Sequence, residues 1–191
     1  MYIHFIGAQG TGKTTLLNQL ADESIKFDSG VNFKIITNVV RNLVENEGVK
    51  INKKGSSKSQ NIIFEKYFDI FTSLDGYIDW VSDRSLIDVV AYTKYLYDHK
   101  KASKKCYEAQ MKWLKLWYDR DPKIKNTIFV YFPIEFEVVN DGVRSLDEEY
   151  RREIDNNIRS ILEELGINYY VMEGTREERL ETIKNIIWLN E

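Results

Sequence analysis

An α/β fold with a parallel sheet covered by helices on both faces is what this sequence predicts, and three observations lead there. Short apolar, β-branched or aromatic runs alternate with longer stretches of helical periodicity along the chain, which is the pattern of strands joined by crossover helices. The 191 residues, 43% of them hydrophobic, can bury one sizeable core. No repeat, low-complexity tract or interdomain linker divides them, so residues 1–191 read as a single domain.

Taken in order, Tyr2 to Ile6 reads as a short strand, and Lys13 to Ala21, with Leu16, Leu17 and Leu20 on one side, as the helix after it. Phe33 to Ile36 is a second strand, followed by a helix from about Val39 that stops at Gly48. Asn52 to Ser59, rich in Lys, Gly and Ser, reads as a mobile loop. Ile63, Tyr67, Ile70, Phe71 and Leu74 mark a helix before Gly76, and Tyr77 to Ser82 is a third strand. Two helices, Ser85 to Tyr97 and about Ser103 to Tyr118, are joined by the solvated turn His99-Lys100-Lys101. Thr127 to Phe132 is the clearest strand, ended by Pro133. Asp147 to Leu165 carries Ile154, Ile158, Ile161, Leu162 and Leu165 on one helical face and is stopped by Gly166. A strand from Ile167 to Met172 and a helix from Arg176 to Leu189 complete the pattern.

Composition narrows the partners. A net charge of −3 gives no overall attraction to a polyanion, so nucleic acid is not the default partner, although a local basic patch is compatible with an acidic chain. The single cysteine, Cys106, excludes an intrachain disulfide and a thiolate metal cluster and suits a reducing compartment; its plain reading is a half-buried helix residue. No apolar run has the length of a membrane span, and His4, Gly7 and Gln9 interrupt the apolar N-terminus before it could serve as a signal segment. The expectation is a soluble, cytoplasmic protein with no membrane partner. Oligomeric state is left open, a homodimer included. His4 and His99 show no metal-ligand spacing.

Chemistry begins at Gly7-Ala8-Gln9-Gly10-Thr11-Gly12-Lys13-Thr14, which satisfies G-x-x-x-x-G-K-[ST] between a predicted strand and a predicted helix. The glycines let consecutive N–H groups converge, and the helix N-terminus adds its dipole. Lys13 reaches the β- and γ-phosphates and Thr14 offers a hydroxyl to Mg²⁺. Gly7, Gly10, Thr11, Gly12, Lys13, Thr14 and Thr15 are therefore the candidate contacts to ATP. Other segments separate the classes that share this loop. A GTPase carries an N/T-K-x-D base-reading segment, and Thr93-Lys94-Tyr95-Leu96 lacks its aspartate. A AAA-type motor needs a helical lid domain and adjacent acidic residues ending its third strand, where this chain has Ser82-Asp83-Arg84-Ser85. Small-molecule kinases use that arrangement, with Asp83 orienting Mg²⁺ beside Thr14 and Arg84 reaching the transferring phosphate.

Three segments together, the P-loop, Asp83-Arg84-Ser85-Leu86-Ile87-Asp88-Val89-Val90-Ala91-Tyr92, and Asp141-Gly142-Val143-Arg144 leading into the helix from Asp147, resemble the P-loop kinase-like AAA_28 family. That family is related to ribosylnicotinamide kinase domains and, more distantly, to thymidylate and deoxynucleoside kinases, and small phosphotransferases of this kind are common in phage genomes. The resemblance covers nearly the whole chain. It implies a P-loop three-layer sandwich with a five-stranded parallel sheet and a mobile lid after the fourth strand, here about residues 133–151.

One position departs from the resemblance. After the second strand such kinases place an acid followed three positions later by Arg, and this chain reads Asn38-Val39-Val40-Arg41. Asparagine cannot take a proton from an attacking hydroxyl, whereas a phosphate acceptor is already anionic, so the substitution favours a nucleoside monophosphate; Asp83 is an alternative base. Lys13, Arg41, Asp83, Arg84, Arg144 and Arg151 are the candidate catalytic residues, Arg151 because helical geometry puts it on the apolar face, where a cation needs a carboxylate or phosphate partner. Plainer roles stand beside these: Asp83 as a helix cap, Arg84 as a surface ion-pair residue, Arg144 as a solvated charge. Trp113 and Trp117, four apart, read as core packing. The function expected is an ATP- and Mg²⁺-dependent phosphotransferase acting on a nucleotide or nucleoside-type small molecule. The alternatives are a hydroxyl-directed kinase on a nucleoside or on a modified base in phage DNA, and an NTP-dependent switch or binding module.

Overall fold

β1 (Tyr2–Ile6) is buried along its whole length and sends alternate side chains into two separate cores. Tyr2 and Ile6 face one, Ile3 and Phe5 the other. The computed structural model describes residues 1–21, 33–74, 78–137 and 147–190. Around β1 lie α1 (Lys13–Ala21), β2 (Lys34–Ile36), α2 (Val39–Glu47), α3 (Ser57–Ser73), β3 (Trp80–Ser82), α4 (Leu86–Asp98) and α5 (Lys104–Arg120). They are followed by β4 (Thr127–Tyr131), α6 (Glu148–Glu164), β5 (Tyr170–Val171) and α7 (Arg176–Leu189).

The five strands form one sheet in the order β2-β3-β1-β4-β5, and every neighbouring pair is parallel. One face is covered by α2 to α6, whose apolar residues make the larger core. The other is covered by α1 and α7. This is the three-layer α/β sandwich that the alternating pattern predicts. The chain fills the sheet on one side of β1 with β2 and β3, then crosses to the other side for β4 and β5. Such a reversal opens a crevice at the carboxyl end of the first strand, where ligands of open α/β sheets bind.

Local chemistry explains where element boundaries differ from expectation. The stretch 52–59 is not a loop throughout: Asn52–Lys54 is a 3₁₀ turn, and Ser56 and Ser59 form a reciprocal capping box that starts α3 at Ser57. Its serines are helix-start signals. β5 is shorter than Ile167 to Met172 because Ile167 is used by the helix before it. Gly166 takes φ 61 and Ile167 N–H donates back to Leu162 O at 3.0 Å, which closes α6. β3 begins at Trp80, and Tyr77 lies outside the described residues, as do Gly76 and the centre of the expected lid, residues 138–146 with Asp141, Gly142 and Arg144. Of the tryptophan pair, Trp117 is buried while Trp113 is 51% exposed against Phe68. Cys106 is buried, its thiol 3.2 Å from Asn61 Oδ1. Among the described residues no helix is long and apolar enough to cross a membrane.

Candidate active site

The P-loop leaves β1 at Gly7, where space allows no side chain: a Cβ there would lie 2.5 Å from Phe132 O. Gly12 is fixed twice over, by φ 91 and by Arg179 Nη1, which a Cβ would meet at 2.6 Å. Lys13 opens α1 and is buried, its Nζ donating to Gly7 O (2.7 Å), Ala8 O (2.6 Å) and Thr11 Oγ1 (3.1 Å). The cation is therefore held inside the curl of its own loop. Asp88, on the first turn of α4 and wholly buried, accepts Gly7 N–H at 3.0 Å and ties the start of the loop to the opposite layer. Its other oxygen accepts Ser85 N–H and Ser85 Oγ–H, both at 2.8 Å.

Asp83 stands at the carboxyl end of β3. The N-cap of α4 is Ser85, boxed with Asp88, so Asp83 does not cap that helix. Its Oδ2 accepts the hydroxyls of Thr14 (2.9 Å) and Thr37 (2.7 Å). A carboxylate bridged by two hydroxyls beside a phosphate cradle is an all-oxygen donor set of the kind Mg²⁺ takes, with one protein carboxylate, substrate phosphates and water completing it. The residues fit the ion, and Thr14 and Asp83 are the side chains that would hold it. Among the described residues no three of His, Cys, Asp or Glu cluster as a metal cage.

The candidate arginines occupy different places. Arg84 is partly buried, its guanidinium 5.1 Å from the Tyr92 ring centroid and Nη1 3.8 Å from Asp88 Oδ1. Arg41 reaches the same cleft from the exposed side of α2. Arg151 is fully buried behind the P-loop: Nε donates to Gln9 O (2.9 Å), Nη2 to Gly10 O (3.2 Å), and Nη1 to Phe136 O (2.6 Å) and Glu148 Oε1 (3.1 Å). Its anionic partner in the protein is Glu148. Arg144 lies outside the described residues.

The P-loop, Asp83, Arg41 and Arg84 border one cleft of about 850 Å³, which Asp88 and Arg151 do not line. At one end are Gly10, Thr11, Gly12, Lys13, Thr14 and Thr15; at the other, Asn38, Arg41, Gln60, Tyr67, Arg84 and Tyr92. Burial pushes the Tyr67 phenol well above its ordinary range, so it stays a neutral hydrogen-bonding group. Gln60 is held by a buried polar chain, its Oε1 3.1 Å from Thr93 Oγ1, which is itself 2.7 Å from Gln110 Oε1. Asn38 caps α2 with φ 59 and no side-chain capping bond. Gln9 Nε2 and Arg84 Nη1 are buried and make no hydrogen bond among the described residues, Nη1 lying 3.8 Å from Asp88 Oδ1.

Sequence reasoning missed Asp88, Glu135 and Arg179 as parts of this site. The spacing Ser85-x-x-Asp88 carries a capping signal that marks Asp88 as buried at a helix start. Nothing in the sequence around Arg179 distinguishes it from a solvated helix charge; only the docking of α7 beside the P-loop does.

The fold and the cleft define a P-loop α/β domain. The sequence matches the AAA_28 family, described as an AAA domain, over residues 2–179, and the chain belongs to that family. Deoxyadenosine kinase from M. mycoides with dCMP and a flexible dCDP bound has a similar structure, with TM-score 0.70, 18% identity and full coverage of both chains. NadR protein in complex with NR is similar at TM-score 0.70 and 18% identity over 99% of this chain and 51% of that one. Thymidylate kinase from Ehrlichia chaffeensis follows at TM-score 0.63, 15% identity and 98% of each chain. No curated protein sequence matches the chain.

Proposed function

We propose that the protein transfers the γ-phosphoryl group of ATP, with Mg²⁺, to a small nucleotide or nucleoside-type acceptor, a (deoxy)nucleoside monophosphate first among them. The carrying observation is a single cleft lined both by the P-loop residues Gly10 to Thr15 and by Asn38, Arg41, Gln60, Tyr67, Arg84 and Tyr92. Among the described residues its only carboxylates are Asp83 and Glu137. With Asn38 at the α2 edge, that cleft suits an acceptor that brings its own negative charge and needs no base. Catalysis then rests on positioning and charge neutralisation by Lys13, Arg41 and Arg84, with Arg151 supporting the loop from behind. Thr14 and Asp83 would hold Mg²⁺, which would supply charge stabilisation on the phosphate oxygens. We read residues 1–191 as one kinase-like domain; its lid at about 133–151, and Arg144 within it, are carried by the sequence alone.

A hydroxyl-directed reading has its own support, since Asp83 lines the cleft with Oδ2 bonded to two hydroxyls and deoxyadenosine kinase shares the fold. The test is ADP release measured with nucleoside monophosphates, with free nucleosides, and with no acceptor. Release that depends on a monophosphate supports the proposal. Dependence on nucleosides alone transfers the assignment to the hydroxyl-directed enzyme, and release indifferent to every acceptor makes the protein a switch or binding module.

A further inference from the structure

In a trans peptide unit a carbonyl and the N–H of the next residue point to opposite sides of the backbone. Three consecutive carbonyls of the P-loop are each held by an arginine. Arg151 takes Gln9 O (2.9 Å) and Gly10 O (3.2 Å), and Arg179 takes Thr11 O (2.6 Å). No peptide bond among the described residues is cis. The N–H groups of Gly10, Thr11 and Gly12 are therefore turned away from the two arginines, and these are the donors a phosphate cradle needs.

Arg179 is built in rather than draped over the surface. It is 4% exposed, lies 5.5 Å from the Phe132 ring centroid and 5.0 Å from that of Phe136, and donates through Nε to Gly174 O at 3.1 Å. Its Nη2 pairs with Glu135, whose other oxygen accepts Gly174 N–H at 3.1 Å. The adjacent Phe136 offers its carbonyl to Arg151 Nη1. Two neighbouring residues after β4 thus touch both of the arginines that orient the loop.

We propose that Arg179, braced by Glu135, is a positioning residue for the phosphate cradle: it fixes the Thr11 peptide, so the connector at residues 135–136 sets the affinity for nucleotide phosphates. The proposal rests on the cradle reading above and extends it to Arg179 in the cleft wall and to Glu135, which does not line the cleft. Lysine keeps the charge but cannot span Thr11 O, Gly174 O and Glu135 at once, because its donors radiate from one atom.

The experiment is calorimetric titration of the whole chain, wild type, Arg179→Lys and Glu135→Gln, with ADP and with inorganic tripolyphosphate, alongside the melting temperature of each without ligand. Arg179→Lys is expected to weaken both ligands alike by about tenfold, the scale of one charge-assisted hydrogen bond. Glu135→Gln, at a partly exposed position that leaves the guanidinium in place, is expected to weaken both by about threefold. Affinities unchanged while melting temperature falls would make Arg179 a structural residue and overturn the proposal. If Arg179→Lys does not fold, Glu135→Gln decides alone by the same criterion. Wild type that binds neither ligand overturns the cradle reading itself, a result distinct from loss in the variants only.

Discussion

The two ends of the cleft are made of different material. The phosphate end is backbone, a short loop whose amides are braced by Asp88, Arg151 and Arg179. The other end, the proposed acceptor lobe, is side chains, gathered from α2, α3 and α4 and resting on bonds such as that of Gln60 with Thr93. Backbone geometry is shared by every nucleotide that enters, whereas side-chain lobes decide which acceptor is taken. The first end should respond to substitution abruptly and without regard to acceptor, the second in graded, acceptor-specific steps.

Lys13→Ala is the harshest trial of that division. The lysine spends its donors on its own loop and contributes little to the core. Turnover is expected to fall by at least about a thousandfold while the melting temperature stays close to wild type. Undiminished ATP turnover in a folded variant would remove the cradle from the mechanism. Asp83→Asn comes next, since the amide can still meet one threonine hydroxyl but has lost its charge. A loss of about a hundredfold, with the magnesium requirement shifted to higher concentration, is expected from a magnesium titration of rate. An unchanged titration curve would reduce Asp83 to an anchor for Thr14 and Thr37.

Arg41→Ala addresses the other end. The KM for a monophosphate acceptor is expected to rise by about tenfold with the KM for ATP unaltered, the loss of one charge-assisted contact. Equal changes in both constants would show that the two ends are not separable. The mildest case lies beneath the site, where His4 sits in a box of Phe71, Trp80, Trp117 and Phe129 with Nδ1 3.2 Å from Arg84 O. Burial lowers its pKa to about 4 from 6.5, against the opposing pull of that carbonyl contact. Between those values the unfolded chain takes up a proton that the folded chain refuses. Stability contributed by neutral His4 is thus complete above pH 6.5 and falls as pH drops toward 4, by about 3 kcal/mol in all. Urea unfolding at several pH values should give a flatter dependence for His4→Phe; an identical slope would place the proton uptake elsewhere.

The same division governs what could be read from the sequence. The P-loop is legible because its residues are contiguous, each with a fixed job, and the strand before it and helix after it follow from periodicity alone. Helix starts at Ser85, Ser103 and Asp147 are legible for the same local reason, one capping side chain each. The 52–59 stretch misleads because serines serve loops and N-caps equally, and only their mutual bonds tell which. Arg179 and Glu135 were beyond reach because their meaning lies in a contact across most of the chain. Arg151 stood between: its place on an apolar helical face announced an anionic partner, and the partner proved to be the carboxylate of Glu148, beside P-loop carbonyls that nothing in the sequence announced.

The bracing of the loop also has a consequence for how the molecule comes into being. Its anchors lie 81, 141 to 142 and 168 residues away along the chain. The P-loop is made before its anchors, since Thr11 has no Arg179 until α7 has been synthesised and has docked against α1. Contacts of such separation are slow to form and are paid for in chain entropy. A chain lacking α7 would therefore carry the whole motif without the brace on Thr11 O.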